Sequence, residues 1–280
     1  MDMTKRWTGI RVFAVAVLLA AMATAVFPLL WIIMSSFKTN NDFLLHPFAL
    51  PMKWTVDNYI SAWKGSDFPR YFLNSLIVTA VSLVLMIGTG AMVAFALSRF
   101  HRIRYANKLL FFFIIGQMIS GQVIIISIYL TLNFYRMLDS YWGLSLVYAA
   151  SGLPFVIFML SGFFKSIPFE LYEAGSIDGM SDWHIFLNVA VPLAKPAIAT
   201  AIITQFLYVW NEFTIAYITT KSLDLYTVPV GIYQTVNKMY STSYTSACAG
   251  LVITGLPPLI VYAVFQKQII YGISAGAVKG

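Results

Sequence analysis

The stretch LYEAGSIDGMSDWHIFLNVAVPLAKPAIAT, residues 171–200, is a polar interruption in an apolar chain. It holds Glu173, Asp178 and Asp182, and Glu170 stands just before it, so four of the eleven carboxylates fall in this one piece. Residues 166–178 predict a short helix. Ser166 is placed to cap it, Pro168 suits its first turn, and Glu170 favours the positive end of the helix dipole. Gly179 is placed to take the left-handed conformation that stops it. Ser181 or Asp182 then caps a second helix through WHIFLNVAV, which runs until Pro192. The reading is helix, glycine turn, helix, at a membrane surface. A helix lying on lipid headgroups is the competing reading, and the acid counts against it, since such helices favour Lys and Arg on the polar face.

The membrane follows from the rest of the chain. Of its 280 residues, 59% are hydrophobic and 10% charged, and mean hydropathy is +0.77. A soluble domain carries about 25% charged residues. No Asp, Glu, Lys or Arg occurs in 12–37, 71–98, 109–135, 140–164 or 239–266. Each run exceeds the roughly 20 residues that cross a bilayer core as a helix. A sixth, 196–211, continues past Glu212 as FTIAYITT. The expected fold is therefore an all-α integral membrane protein with six spans, near 12–34, 75–97, 109–131, 143–162, 196–217 and 249–270. The alternation of a β-barrel is absent.

Basic residues set the orientation. Lys5, Arg6 and Arg11 precede span 1, and Arg99, Arg102, Arg104 and Lys108 crowd the loop after span 2. The positive-inside rule puts both in the cytoplasm, together with the opening stretch and both termini. The net charge of +7 is mostly this topology signal and not a nucleic-acid footprint. Ala23-Thr24-Ala25 imitates a signal-peptide cleavage site, but the apolar run continues through residue 34, so an uncleaved anchor is expected. The expected organisation is an N-terminal tail, first span and outer loop (1–70), a core of spans 2–6 (71–270) holding the connection 163–195, and a cytoplasmic tail (271–280). In the outer loop, Trp54, Tyr59 and Trp63 suggest an interfacial helix or an aromatic belt. Gly90 with Ala94 permits close helix contact.

An enzyme reading is poor. His46, His101 and His184 are far apart, Cys248 is the single cysteine, and no metal-ligand spacing occurs. There is no Gly-Lys dipeptide, hence no phosphate-binding P-loop. Glu212 is the one carboxylate inside an expected span, and such acids default to function. At about 1.5 Å per residue it lies toward the outer side, where reaching the interface explains it equally well. With Tyr208, Trp210 and Asn211 it forms a polar-aromatic cluster suited to a polyhydroxylated solute, or to a proton-coupled carrier.

The opening stretch also resembles the EAA loop of ABC importer permeases, whose pattern is Glu-Ala-Ala, three residues, Gly, nine residues, then Ile-x-Leu-Pro. Here Glu173-Ala174-Gly175 is followed after three residues by Gly179, and after nine more by Val189-Ala190-Val191-Pro192. Gly175 replaces the second alanine. Glycine costs about 1 kcal/mol against alanine in a helix, so the helix is expected to fray there. FPLLWIIMSSFKT (27–39), KWTVDNYISAW (53–63), FLNSLIVT (72–79), WNEF (210–213) and GISAGAVKG (272–280) resemble the sugar branch, of oligosaccharide and maltose type.

The resemblance implies a permease subunit in a bacterial or archaeal cytoplasmic membrane. It implies a second permease subunit, two ATPase subunits that hold ATP and Mg, an extracytoplasmic solute-binding protein, and a sugar as substrate. Glu173, Ala174, Gly175, Gly179 and Pro192 would form the ATPase-coupling segment. Gly276 and Lys279 would form a C-terminal ATPase contact. The alternatives are a secondary carrier using Glu212, or an ABC permease for a non-sugar solute.

Overall fold

The computed structural model describes residues 3–65, 67–99, 105–119, 121–239 and 243–277, with side chains for 11–64, 67–99, 105–119, 121–237 and 243–266. Every regular element among them is helical. In chain order these are α1 (Met3–Ser36), α2 (Asn40–Leu45), α3 (Asp57–Gly65), α4 (Phe68–Arg99), α5 (Ala106–Met118), α6 (Ile125–Phe134), α7 (Tyr141–Ser166), α8 (Phe169–Ile177) and α9 (Asp182–Ile185). A π-helical turn (Phe186–Ala190) leads to α10 (Val191–Leu193), α11 (Lys195–Asn211), α12 (Thr214–Thr219), a 3-10 turn (Leu223–Leu225), α13 (Val228–Met239) and α14 (Tyr244–Ala277).

Four stretches among the described residues are long and apolar enough to cross a membrane: Arg11–Ser36, Phe68–Arg99, Tyr141–Ser166 and Tyr244–Gln266. A fifth is obtained if Asp182–Leu193 and Lys195–Asn211, bent by 77°, count as one span. Two expected spans are not single helices. The run 109–131 is α5 and α6, with irregular backbone at Ile119 and over 121–124 between them. Gly121 and Gln122 sit in that break. Both are uncharged, so a charge-free run does not reveal it. The run 196–217 breaks at Glu212, whose backbone is extended at φ −70° and ψ 126°.

The chain falls into two compact units, Met1–Phe68 with Ile232–Leu256, and Pro69–Gly231 with Pro257–Gly280. The first unit is organised by buried polar groups. The Asn58 amide donates to the carbonyls of Ser36 (2.8 Å) and Lys38 (2.7 Å) and accepts from the Thr245 hydroxyl (2.9 Å). The fully buried Lys38 ammonium donates to the carbonyls of His46 (2.8 Å) and Pro47 (3.1 Å), which satisfies a cation without a carboxylate. The expected helix around Trp54, Tyr59 and Trp63 is α3, but Trp54 precedes it and Tyr59 points inward to the Ser36 hydroxyl at 2.6 Å.

In the second unit α4, α7 and α11 bury Met86, Ala94, Val156, Leu160 and Ala201 together. Val156 on α7 comes so close to Gly90 that a Cβ there would lie 2.6 Å from its Cγ1, so the small residue is what lets α4 and α7 approach. Asn74 ties the opposite end of α4. It donates to the carbonyls of Asp224 and Tyr226 and accepts from the Tyr141 hydroxyl at 2.7 Å, beside an Arg70–Asp224 ion pair.

Candidate functional site

The foot begins where α7 ends. Ser166 belongs to α7, its hydroxyl donating to the Phe163 carbonyl at 2.7 Å, so it does not cap α8 as expected. Pro168 takes the cap position without a side-chain bond. Gly179 behaves as expected, with φ +80°. Its N–H donates to the Ser176 carbonyl (3.1 Å) and that of Met180 to Gly175 (2.9 Å), the bond pair of a Schellman turn. Ser181 caps α9 by accepting from the His184 N–H.

Two expectations fail here. Gly175 does not fray α8. It is buried, and a Cβ added to it would lie 3.2 Å from Ile185 Cγ1, so glycine here lets α9 lie against α8. Nor does Pro192 stop the second helix. The Val191 N–H bonds the Phe186 carbonyl, widening the turn ahead of Pro192, and the Ala194 N–H still reaches the Ala190 carbonyl at 2.9 Å. The bend falls at Ala194, and Pro196 lies in the first turn of α11, where its missing N–H costs no helical bond.

The foot has a seated side and an open side. Tyr172, Ile185 and Phe186 are buried with Phe95 of α4 and Phe164 of α7, and the Phe95 ring is tilted or edge-on to Phe164, Tyr172 and Phe186 at 5.2–6.0 Å. Burial pushes the Tyr172 phenol up to about 12, against the opposing pull of the Arg99 charge. Glu170, Glu173, Ala174 and Asp178 are exposed, as are Ile177 (85%) and Trp183 (54%). An apolar surface edged with carboxylates is thus carried on a base packed into α4 and α7.

Arg99, which the sequence reading used only for orientation, closes this base. Its Nε donates to Asp182 Oδ1 at 2.7 Å and an Nη to the Ser176 hydroxyl at 3.0 Å, with the guanidinium 5.8 Å from the Tyr172 ring centre. Nothing in the sequence pairs position 99 with positions 77 and 83 residues downstream.

A cleft of about 620 Å³ opens between the break after α5, the start of α6, and helices α7 and α11. Its polar lining is Gln117, Ser151, Thr204, Gln205 and Tyr208, with Phe155 as its aromatic side chain beside Tyr208. Gln205 is 4% exposed, and among the described residues its Oε1 has no hydrogen-bond partner. Pro154 also lines it and brings no N–H to the Ala150 carbonyl one turn back. Among the described residues that line the cleft, none is charged.

The expected cluster of Tyr208, Trp210, Asn211 and Glu212 is divided by this geometry. Tyr208 lines the cleft. Trp210 is buried at 2% exposure, stacked on Phe206 and edge-on to Phe72. The exposed Asn211 bonds back to the Leu207 carbonyl at 2.7 Å. Glu212 accepts from the backbone N–H of Ile215 (2.9 Å) and Ala216 (3.2 Å) and from the Tyr148 hydroxyl (2.7 Å). It caps α12, whose own cap residue Phe213 has no side-chain oxygen to offer. Gly276 lies in the last turn of α14, and Lys279 lies outside the described residues. No group of three or more His, Cys, Asp or Glu among the described residues is placed to hold a metal ion.

The family model described as binding-protein-dependent transport system inner membrane component matches residues 86–271. The diacetylchitobiose uptake system permease protein NgcG of Streptomyces coelicolor is 34% identical over 94% of this chain and 87% of its own length. The galactooligosaccharides transport system permease protein GanQ of Bacillus subtilis is 30% identical over 97% and 96%. In a crystal structure of a bacterial ABC transporter involved in import of the acidic polysaccharide alginate, one chain is similar with a TM-score of 0.80. The two are 25% identical, over 95% of this chain and 98% of that one.

Proposed function

The chain belongs to the binding-protein-dependent transport system inner membrane components, the permeases of ABC importers, and on that premise we propose that it carries a neutral oligosaccharide into the cytoplasm. As a member of that family it is a transport subunit and not an enzyme. The observation that carries the mechanism is the foot: a carboxylate-edged apolar face on a base packed into α4 and α7. The foot lies in the cytoplasm, in line with the basic end of α4, and its face docks on an ATPase subunit. Glu173 meets a basic group there, with Ala174 allowing close approach. ATP and Mg reside on two such subunits, a second permease completes the pore, and an extracytoplasmic binding protein delivers the sugar. The C-terminal residues around Gly276 and Lys279 reach the same ATPase layer. Nucleotide-driven closure of the ATPase pair biases the permeases between inward- and outward-facing states.

The cleft supports a sugar cargo. Gln117, Gln205, Thr204 and Ser151 offer amide and hydroxyl groups, and Tyr208 and Phe155 offer ring faces, the mixture that sugar hydroxyls and C–H faces require. Sugar permeases for diacetylchitobiose and galactooligosaccharides among the relatives support the same cargo class. The uncharged lining favours a neutral saccharide over an acidic one. Trp210, Asn211 and Glu212 are better read as packing, helix and cap residues than as sugar contacts. An ion-coupled carrier working through Glu212 has lost its motivating observation, because that carboxylate is occupied by α12 and Tyr148.

Uptake assays on a panel of labelled neutral di- to pentasaccharides test this reading. Cells lacking the chain lose uptake of one of them, and wild-type uptake stops on ATP depletion and survives a protonophore. Uptake that persists without ATP and collapses with the protonophore overturns it.

A further inference from the structure

We infer that Arg99 is a positioning residue that locks the angle of the foot, so that a force applied to α8 moves α4 and is not absorbed at Gly179. The inference rests on the docking reading of the foot. The foot is joined covalently to α7 through Ile167 and Pro168 and to α11 through α10. It has no such link to α4, since 69 residues separate Arg99 from Phe169, the start of α8. Its attachment to α4 is of two kinds. The Phe95 contacts are apolar and non-directional. Arg99 supplies directed bonds, and it places them on both sides of the turn: Ser176 in the last turn of α8 and Asp182 in the first turn of α9. Between them stands Gly179, the left-handed glycine about which α8 and α9 can pivot.

Magnitude separates geometry from stability as the role of this clamp. Asp182 is 55% exposed while Arg99 is 13% exposed, and ion pairs reaching solvent contribute little to folding. A planar guanidinium bonding through two nitrogens fixes an orientation that a point charge cannot. Arg99 therefore braces the pivot more than it stabilises the fold.

The test uses the assembled importer in proteoliposomes, measuring sugar imported per ATP hydrolysed. With Arg99→Ala the ATPase subunits remain bound and hydrolysing, and the ratio falls by about twofold to thirtyfold, the span that coupling residues remote from both ligands command. Arg99→Lys lies between wild type and Arg99→Ala, because it keeps the charge and loses the fork. Ser176→Ala and Asp182→Asn remove one partner each and lower the ratio in the same direction, which keeps the test open if Arg99→Ala does not accumulate. An unchanged ratio in all of these overturns the inference. So does a fall that only tracks lost thermal stability. Glu173→Ala is measured alongside. If it weakens ATPase binding while the Arg99 and partner variants keep the wild-type ratio, only the inference fails. If it leaves binding and transport intact, the docking reading fails.

Discussion

Glu173 and Glu212 each stand near a break in a helical path, and their surroundings treat them oppositely. Glu173 is exposed on α8, and no hydrogen bond or ion pair among the described residues engages it. It stands past the first turn of α8, away from the orphan N–H groups at the start of that helix that a carboxylate could cap. Glu212 follows a helix that ends without a glycine and precedes one whose cap residue is phenylalanine. The orphan N–H groups of α12 take its carboxylate, and the buried Tyr148 hydroxyl takes what remains. An acid stays available to a partner where no orphan helical N–H or buried hydroxyl lies within its reach.

The largest effect that bears on this contrast is expected from Glu212→Ala. It leaves the Ile215 and Ala216 N–H groups and the 1%-exposed Tyr148 hydroxyl without their acceptor. A loss of about 2–4 kcal/mol follows from a missing cap together with stranded buried donors. Thermal melting in detergent measures it; an unshifted melt with failed transport would return Glu212 to the substrate pathway. Glu173→Ala gives the converse result. The melt stays within about 0.5 kcal/mol of wild type, as for exposed substitutions generally. Affinity for the ATPase subunit drops about tenfold, as for an interface residue of moderate weight, and binding assays with the purified complex check it. Equal destabilisation by the two substitutions would dissolve the contrast. The smallest effect belongs to Gly179→Ala, which forces a Cβ into φ +80° at a cost of about 1 kcal/mol. Gly179→Asn should cost less, because asparagine tolerates that region, and paired melts decide it.

The foot was legible in outline because its signals are local. Gly179 and Ser181 act within a turn of their own backbone, and the turn and the α9 cap lie where those residues place them. Pro192 and Gly175 misled because their consequences are not local. The π-widened turn absorbs the proline, and Gly175 answers to Ile185, ten residues on. The breaks after α5 and at Glu212 were hidden for a related reason: an apolar run records the cost of water, not the path of the helix through it.

By itself, the sequence determined that this chain is helical and membrane-embedded, where most of its long helices lie, and that a glycine-hinged acidic foot interrupts them. Those properties follow from transfer free energy and from hydrogen bonds within a few residues. Only the tertiary structure decided which acid is open and which is spent, that Gln205 faces an uncharged cleft, and that Arg99 grips both sides of the hinge. Each of these depends on which side chains arrive at the same place from distant parts of the chain, and neither composition nor spacing specifies that meeting.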